Sequence, residues 1–270
     1  MKVGIVGGGA MGEAILASLI KGGVAAPESI AVHDVVADRL QVLSKRYGVS
    51  AASEAATAAR DADYVLFAVK PQDFPKAAAP LAGGLPDGAT VISIMAGVTL
   101  TRLRLGLQHE AVVRAMPNTP AQIGEGVTVW TAAPAVTEAG REGAGRIFRC
   151  LGWEAYFPEE RYLDMATALS GSGPGYVFLF IEALIDAGVR LGLPRDMATQ
   201  MALQTVAGSA RYALATGKHP AELRDLVTSP GGTTAEGLHA LEAGRLRAAV
   251  AEAVKAAYEK SIALGEAQRK

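Results

Sequence analysis

Two glycine-rich turns carry the residue types that bind anions without basic side chains. Near the N-terminus, Gly7-Gly8-Gly9-Ala10-Met11-Gly12 fits Gly-x-Gly-x-x-Gly, after the apolar run Val3–Val6 and before an amphipathic stretch, Ala10–Lys21. Glycines in such a strand-to-helix turn allow a tight bend, close backbone approach to a pyrophosphate, and close helix–sheet packing. The helix start then offers its N–H groups and positive dipole end to the anion, which is the arrangement of a dinucleotide site. In the C-terminal half, Ser229-Pro230-Gly231-Gly232-Thr233-Thr234 is a turn opening onto a second helical pattern. Its glycines expose backbone N–H groups and a helix start adds its dipole, making a receptor for a small carboxylate. One threonine hydroxyl can cap that helix while the other points at a ligand. A capped helix start with no ligand is the competing reading.

The acid expected about 20 residues beyond a dinucleotide turn is Asp34, at the end of the second apolar run. Its carboxylate would accept a hydrogen bond from an adenosine ribose hydroxyl and repel a 2′-phosphate, and no Arg or Lys follows until Arg39. That favours NADH over NADPH. A first-turn acid for the helix over 36–47 explains Asp34 as well, so both cofactors stay open. Four scattered histidines, His33, His109, His219 and His239, have no ligand spacing, and Cys150 is the single cysteine, so neither a metal site nor an internal disulfide is expected. Cys150 reads as a core residue, and Trp130 and Trp153 as core or interface anchors.

The elements that must position these turns change character along the chain. Short Val- and Ile-rich runs at 3–6, 29–33, 64–69, 90–94, 111–115 and 127–131 read as strands. Helical stretches separate them, so βαβ units and a mostly parallel, doubly wound sheet are expected. A helix over 137–151 and a strand at 154–157 close this half. Beyond Pro158 only helical patterns follow, at 161–169, 174–191, 195–216, 220–226, 233–243 and 245–264, with a break at Gly171-Ser172-Gly173. The reading is a dinucleotide-binding α/β domain over 1–158 and an all-helical domain over 159–270.

The ordered motifs resemble those of the pyrroline-5-carboxylate reductase family along nearly the whole chain. They are the glycine turn, Ala68-Val69-Lys70-Pro71-Gln72, Ser93-Ile94-Met95-Ala96-Gly97, Val113 through Pro120, Ala168 through Pro174, and above all Leu223 through Thr234. The resemblance implies NAD(P)H-dependent reduction of 1-pyrroline-5-carboxylate to L-proline by a Rossmann domain followed by an all-α dimerisation domain. It places cofactor contacts at Val6, Gly7, Gly8, Gly9, Ala10 and Met11, at Ala68, Val69, Lys70 and Pro71, at Met95, Ala96 and Gly97, and at Asn118. It places Glu160 in the substrate region, within the chain or across a dimer interface; an exposed helix-start glutamate is the other reading. For an imine substrate, backbone amides of Gly232, Thr233 and Thr234 would hold the carboxylate and the Thr234 hydroxyl would lie near the ring nitrogen. Thr167 and Ser172 are weaker candidates. Two departures stand out: Ala55 and Leu226 occupy positions where family members carry asparagine. No lysine lies between Gly152 and Gly217, which disfavours alcohol oxidation by a lysine acid/base on an early helix of the second domain. Another cyclic imine, or dinucleotide binding without catalysis, are the alternatives.

Length and composition bound the rest. The chain has 270 residues, about 1.8 domains at roughly 150 residues each. Half of them are hydrophobic, 20% are charged, and the formal net charge is −1. That excludes a disordered chain and makes electrostatic capture of nucleic acid or an anionic membrane a poor fit. The N-terminus shows no leader, and no segment reads as the ~20 apolar residues that span a bilayer. The expectation is a cytoplasmic homodimer, or a larger ring of dimers, acting on a small molecule. Its apolar excess lies in Ala- and Leu-rich helices that an interface would bury.

Overall fold

The computed structural model describes residues 1–267. It divides into two compact units, one of residues 1–172 joined by the chain from Ala256 onward, the other of residues 173–255.

The first unit is built on eight strands in the order β3-β2-β1-β4-β5-β6-β7-β8. These are β1 (Val3–Val6), β2 (Ile30–His33), β3 (Ser50–Ala52), β4 (Tyr64–Phe67), β5 (Thr90–Ser93), β6 (Val112–Met116), β7 (Gly126–Ala132) and β8 (Gly152–Tyr156). All neighbours are parallel except β6 and β7, so the expected mostly parallel, doubly wound sheet is what forms. Side chains alternate faces along each strand. Ile5, Tyr64, Leu66, Ile92, Val113 and Ala115 enter one core with the helices α1 (Ala10–Lys21), α2 (Ala37–Tyr47) and α6 (Glu138–Arg149). Val6, Val65, Phe67, Val91 and Val112 enter the other with α3 (Ala55–Ala59), α4 (Phe74–Ala78) and α5 (Leu100–Leu107). A strand covered on both faces reads as a continuous apolar run rather than an alternating one, which is why Val3–Val6 and Tyr64–Phe67 are wholly buried. Trp130 is in the core, whereas Trp153 is 63% exposed.

Strand β3 escapes the sequence pattern. It is three residues, Ser-Ala-Ala, with no branched or aromatic side chain, and it exists because Ala31 through His33 offer a parallel edge to it.

The last strand ends at Tyr156, but the first unit continues past the boundary expected at Pro158. Helix α7 (Arg161–Ala166) buries Leu163 and Ala166 against Val129. Beneath it, Arg114 of β6 is 3% exposed and pairs with Glu160 at 2.9 Å and Asp164 at 3.0 Å. Ser261, near the end of α12 (Leu246–Ala267), donates to Asp164 at 2.9 Å. A buried guanidinium needs these carboxylates nearby, so α7 and the end of α12 are held to the sheet.

The break expected at Gly171-Ser172-Gly173 is instead a π-helical turn, Thr167–Gly171, leading into α8 (Gly173–Arg190). Counted as one run, Arg161–Arg190 is long and apolar enough to cross a membrane by length and composition, with 6% of its most apolar window buried within the chain. This corrects the expectation that no segment reaches that length; joining the helices through the π turn makes the difference. The second unit contains α9 (Arg195–Thr216), α10 (Pro220–Leu226) and α11 (Thr233–Ala243). Helix α8 packs on α9 through small residues, where a Cβ on Gly188 would stand 3.2 Å from the Ala198 methyl. It leaves Phe178 and Leu179 62% and 67% exposed.

Arg114→Ala would strand two partly buried carboxylates. The expected loss is about 3–5 kcal/mol of unfolding free energy, read by urea denaturation followed through tryptophan fluorescence.

Candidate active site

In the first unit the strand order turns around between β1 and β4, the place where open α/β sheets bind ligands beyond the carboxyl ends of their strands. The turn after β1 and the loop after β4 meet there. Gly7 has φ +106°, and a Cβ on it would lie 2.8 Å from the carbonyl of Ala68. A Cβ on Gly12 would lie 2.0 Å from the Gly7 carbonyl, so only glycine fits either position. Around Gly9 nothing stands within 4 Å of a Cβ, and Gly9 is the N-cap of α1 with no side-chain cap. The N–H groups of Ala10, Met11 and Gly12 therefore begin a helix without a carbonyl four residues back and without a capping side chain. This cradle fits a pyrophosphate.

The other residues expected around the cofactor are placed unequally. Val6 and Met95 are buried in the core, so only their backbone can face a dinucleotide. Ala68, Val69 and Pro71 are half-buried at the strand edge and Lys70 is exposed. Gly97 has φ +73° and backs onto Leu264 and Gly265 of α12. Asn118 is held by structure at both ends of its amide. Its Nδ2 donates to the Ser170 carbonyl at 3.0 Å, in the π turn, and its Oδ1 accepts from Val127 N–H at 2.8 Å. Thr167, at the start of that turn, donates back to the Leu163 carbonyl of α7. Of the two departures from the family pattern, Ala55 opens α3 in the core and Leu226 is exposed at the end of α10.

Asp34 precedes the N-cap Val36 of α2, so it is not the first-turn acid of that helix, which is Asp38. Asp34 Oδ2 accepts from Gly8 N–H at 2.7 Å and its Oδ1 from Val36 N–H at 2.9 Å. It thus locks the glycine turn to the start of α2, with lone pairs left for a further donor. A second lock is one the sequence pattern does not reveal. Arg39 Nε donates to the Gly8 carbonyl at 2.6 Å while the same guanidinium pairs with Glu13 of α1. Glu13 also receives Arg46 at 3.1 Å and the Tyr47 hydroxyl at 2.9 Å. Burial pulls the Glu13 carboxyl up, but the hydrogen bonds from Arg39 and Tyr47 and the charges of Arg39 and Arg46 outweigh it and hold it below its ordinary value. Burial and the hydrogen bond to Glu13 push the Tyr47 phenol up.

Glu160 sits at the N-cap of α7 with its Oε1 shared by the Leu100 N–H at 2.9 Å and Arg114. It therefore fixes the start of α5, just beyond the loop 95–97, and is neither a free surface acid nor wholly committed. Arg114 itself was legible only as a charge inside an apolar strand, a signal of a buried pair.

In the second unit, Gly231 has φ +68° and a Cβ on Gly232 would strike the Ser229 hydroxyl. Gly232 is the N-cap of α11, again with no side-chain cap, so neither threonine caps the helix as expected. The Gly232 N–H is already given to the Ser229 carbonyl at 3.0 Å. The donors that remain at the helix start include the N–H groups of Thr233, exposed, and Thr234, half-buried, with Ala235 next along.

Comparisons with known proteins agree with this geometry. A family described as "Pyrroline-5-carboxylate reductase dimerisation" matches residues 160–264, and one described as "NADP oxidoreductase coenzyme F420-dependent" matches residues 2–97. Pyrroline-5-carboxylate reductase of Synechocystis sp. is 46% identical over 98% of this chain and 99% of its own. The chain belongs to the pyrroline-5-carboxylate reductase family. It is an oxidoreductase acting on a CH–NH group. The solved structure of a pyrroline-5-carboxylate reductase from Coxiella burnetii superposes with a TM-score of 0.90 at 36% identity, covering 97% of this chain and 98% of that one. A Plasmodium falciparum pyrroline carboxylate reductase, solved with NADP bound, gives 0.89 at 33% identity over 98% of each chain. The dimerisation match spans α8, whose apolar side chains are exposed within one chain, and the protein is a homo-oligomer.

The lowered Glu13 carboxyl has a pH signature. Its stabilisation is complete above the ordinary value of 4.5 and is lost as pH falls through the lowered one. Glu13→Gln should cost no more than about 1 kcal/mol at pH 7, given solvent screening, and the gap from wild type should close in urea titrations as pH falls from 4.5 through the lowered value.

Proposed function

We propose that this reductase converts 1-pyrroline-5-carboxylate to L-proline, the last step of proline biosynthesis, using NAD(P)H in the cytoplasm. The observation that carries this reading is the 46% identity to a reductase of that name along 98% of the chain. The uncapped, glycine-led starts of α1 and α11 support it with two anion receptors.

When bound, the dinucleotide supplies hydride to C5 of the ring. This chain's part is to bind and orient. The N–H groups of Ala10 and Met11, at the start of α1 after the turn Gly7 to Gly9, hold the pyrophosphate. Asp34 accepts from the adenosine ribose, favouring NADH over NADPH. Ala68 to Pro71 and the backbone of Met95, Ala96 and Gly97 flank the nicotinamide half, and Asn118 acts by fixing the π turn beside it. The N–H groups of Thr233 and Thr234 hold the substrate carboxylate, with Gly232 keeping the backbone open. Thr234 Oγ1 orients the ring nitrogen. A cyclic iminium is already electrophilic, so orientation and a hydroxyl partner suffice without a strong acid. Glu160 acts as a substrate-region residue, with its Oε1 held by Leu100 N–H and Arg114. A homodimer is the minimal unit, extended to a ring of dimers.

The test is NAD(P)H consumption with 1-pyrroline-5-carboxylate and detection of proline; no turnover anywhere between about pH 6 and 8 would sink the reading. Thr234→Ala should lose about a hundredfold or more in kcat/KM with unfolding free energy little changed. Gly9→Ala should fold as the wild type, because nothing stands near its Cβ, yet weaken dinucleotide binding about tenfold by blocking backbone approach.

A further inference from the structure

Gly8 is gripped from both sides. Its N–H donates to Asp34 at 2.7 Å and its carbonyl accepts from Arg39 Nε at 2.6 Å. The guanidinium and the Asp34 carboxylate are therefore both anchored to Gly8, beside the end of the second strand where an adenosine ribose would lie. In this fold an Arg near that position accommodates the 2′-phosphate of NADP. Here the guanidinium is already engaged, because its Nη2 pairs with Glu13. Glu13 cannot easily turn away, since Arg46 and the Tyr47 hydroxyl hold its other oxygen. The Arg39 side chain remains 29% exposed, so a freed guanidinium has solvent to swing into.

We propose that Glu13 is a specificity-determining residue, which holds Arg39 against the glycine turn, withholds it from a 2′-phosphate and so favours NADH over NADPH. This rests on the glycine turn being the dinucleotide site. Glu13 touches no part of the cofactor; it is a positioning residue acting through Arg39. With the pair intact, a 2′-phosphate meets the Asp34 carboxylate and a guanidinium whose charge is already matched. With Glu13 neutral, Arg39 turns outward and Arg46 loses its partner, so the field at the ribose becomes positive.

Calorimetric titration of the full chain with ADP-ribose and with 2′-phospho-ADP-ribose tests this without imine or hydride. In Glu13→Gln the affinity for the 2′-phospho compound relative to ADP-ribose should rise about fivefold, the scale of one partly exposed ion pair. The kcat/KM ratio for NADPH over NADH should move the same way. Adding Arg39→Gln should return the ratio to the wild-type level or below. Arg39→Gln alone should weaken both compounds alike, because in the wild type Arg39 serves the turn. An unchanged ratio in folded Glu13→Gln overturns the proposal, and so does a gain that survives the double variant. A selective loss of the 2′-phospho compound in Arg39→Gln alone would mean that Arg39 is already a phosphate clamp, and overturns it even if Glu13→Gln fails to fold. Binding of neither compound by the wild type would remove the dinucleotide site itself, a different failure that takes the proposal with it.

Discussion

An α-helix begins with N–H groups that have no carbonyl four residues back. A Ser, Thr, Asp or Asn side chain at the N-cap can satisfy them, as Thr99 does for α5 and Thr137 for α6. Helices α1 and α11 lack one. Each starts at a glycine with no side-chain cap, which leaves its first donors and its dipole for a ligand. A chain with a net charge of −1 can therefore bind two anionic molecules without a basic surface, since the binding is local and made by backbone.

The sheet exists to present the first of these starts. Its strands alternate side chains between two cores, so both faces are sealed by helices and only the strand ends are open. The order reverses between β1 and β4, where Gly7 and Gly12 let the backbone pack closely and Gly9 leaves open space at the start of α1. Three charged groups then fix the turn from below: Asp34 on the Gly8 N–H, Arg39 on its carbonyl, and Glu13 on Arg39. A similar logic holds the loop after β5. Glu160, paired with buried Arg114, accepts the Leu100 N–H, so a residue distant in sequence sets where the loop 95–97 ends.

Much of this was legible in sequence because it is periodic or written in glycine. Helices α1, α9, α10 and α11 fall where their patterns predict, and the glycine turns declare themselves by spacing. Strand β3 was not legible: Ser50 to Ala52 carry no strand preference and owe their state to the edge of β2. The π turn was read as a break, because glycines that normally end a helix here only widen it, with Asn118 holding the Ser170 carbonyl. The threonines of the second turn were read as a possible cap, but Gly232 takes that place and its own N–H is spent on Ser229. Long-range pairs such as Glu13–Arg39 and Arg114–Asp164 leave no local pattern, since nothing in the neighbouring residues encodes a partner that the topology supplies.

Backbone donors at two helix starts are what should meet the two anions. A crystal structure of the protein with NADH and a non-reactive cyclic carboxylate such as proline tests it most directly. The expected result is pyrophosphate oxygens within hydrogen-bond distance of the Ala10 and Met11 N–H groups, and the carboxylate on the N–H groups of Thr233 and Thr234. A carboxylate held instead by Lys or Arg side chains, with the start of α11 bound only to water, would contradict it.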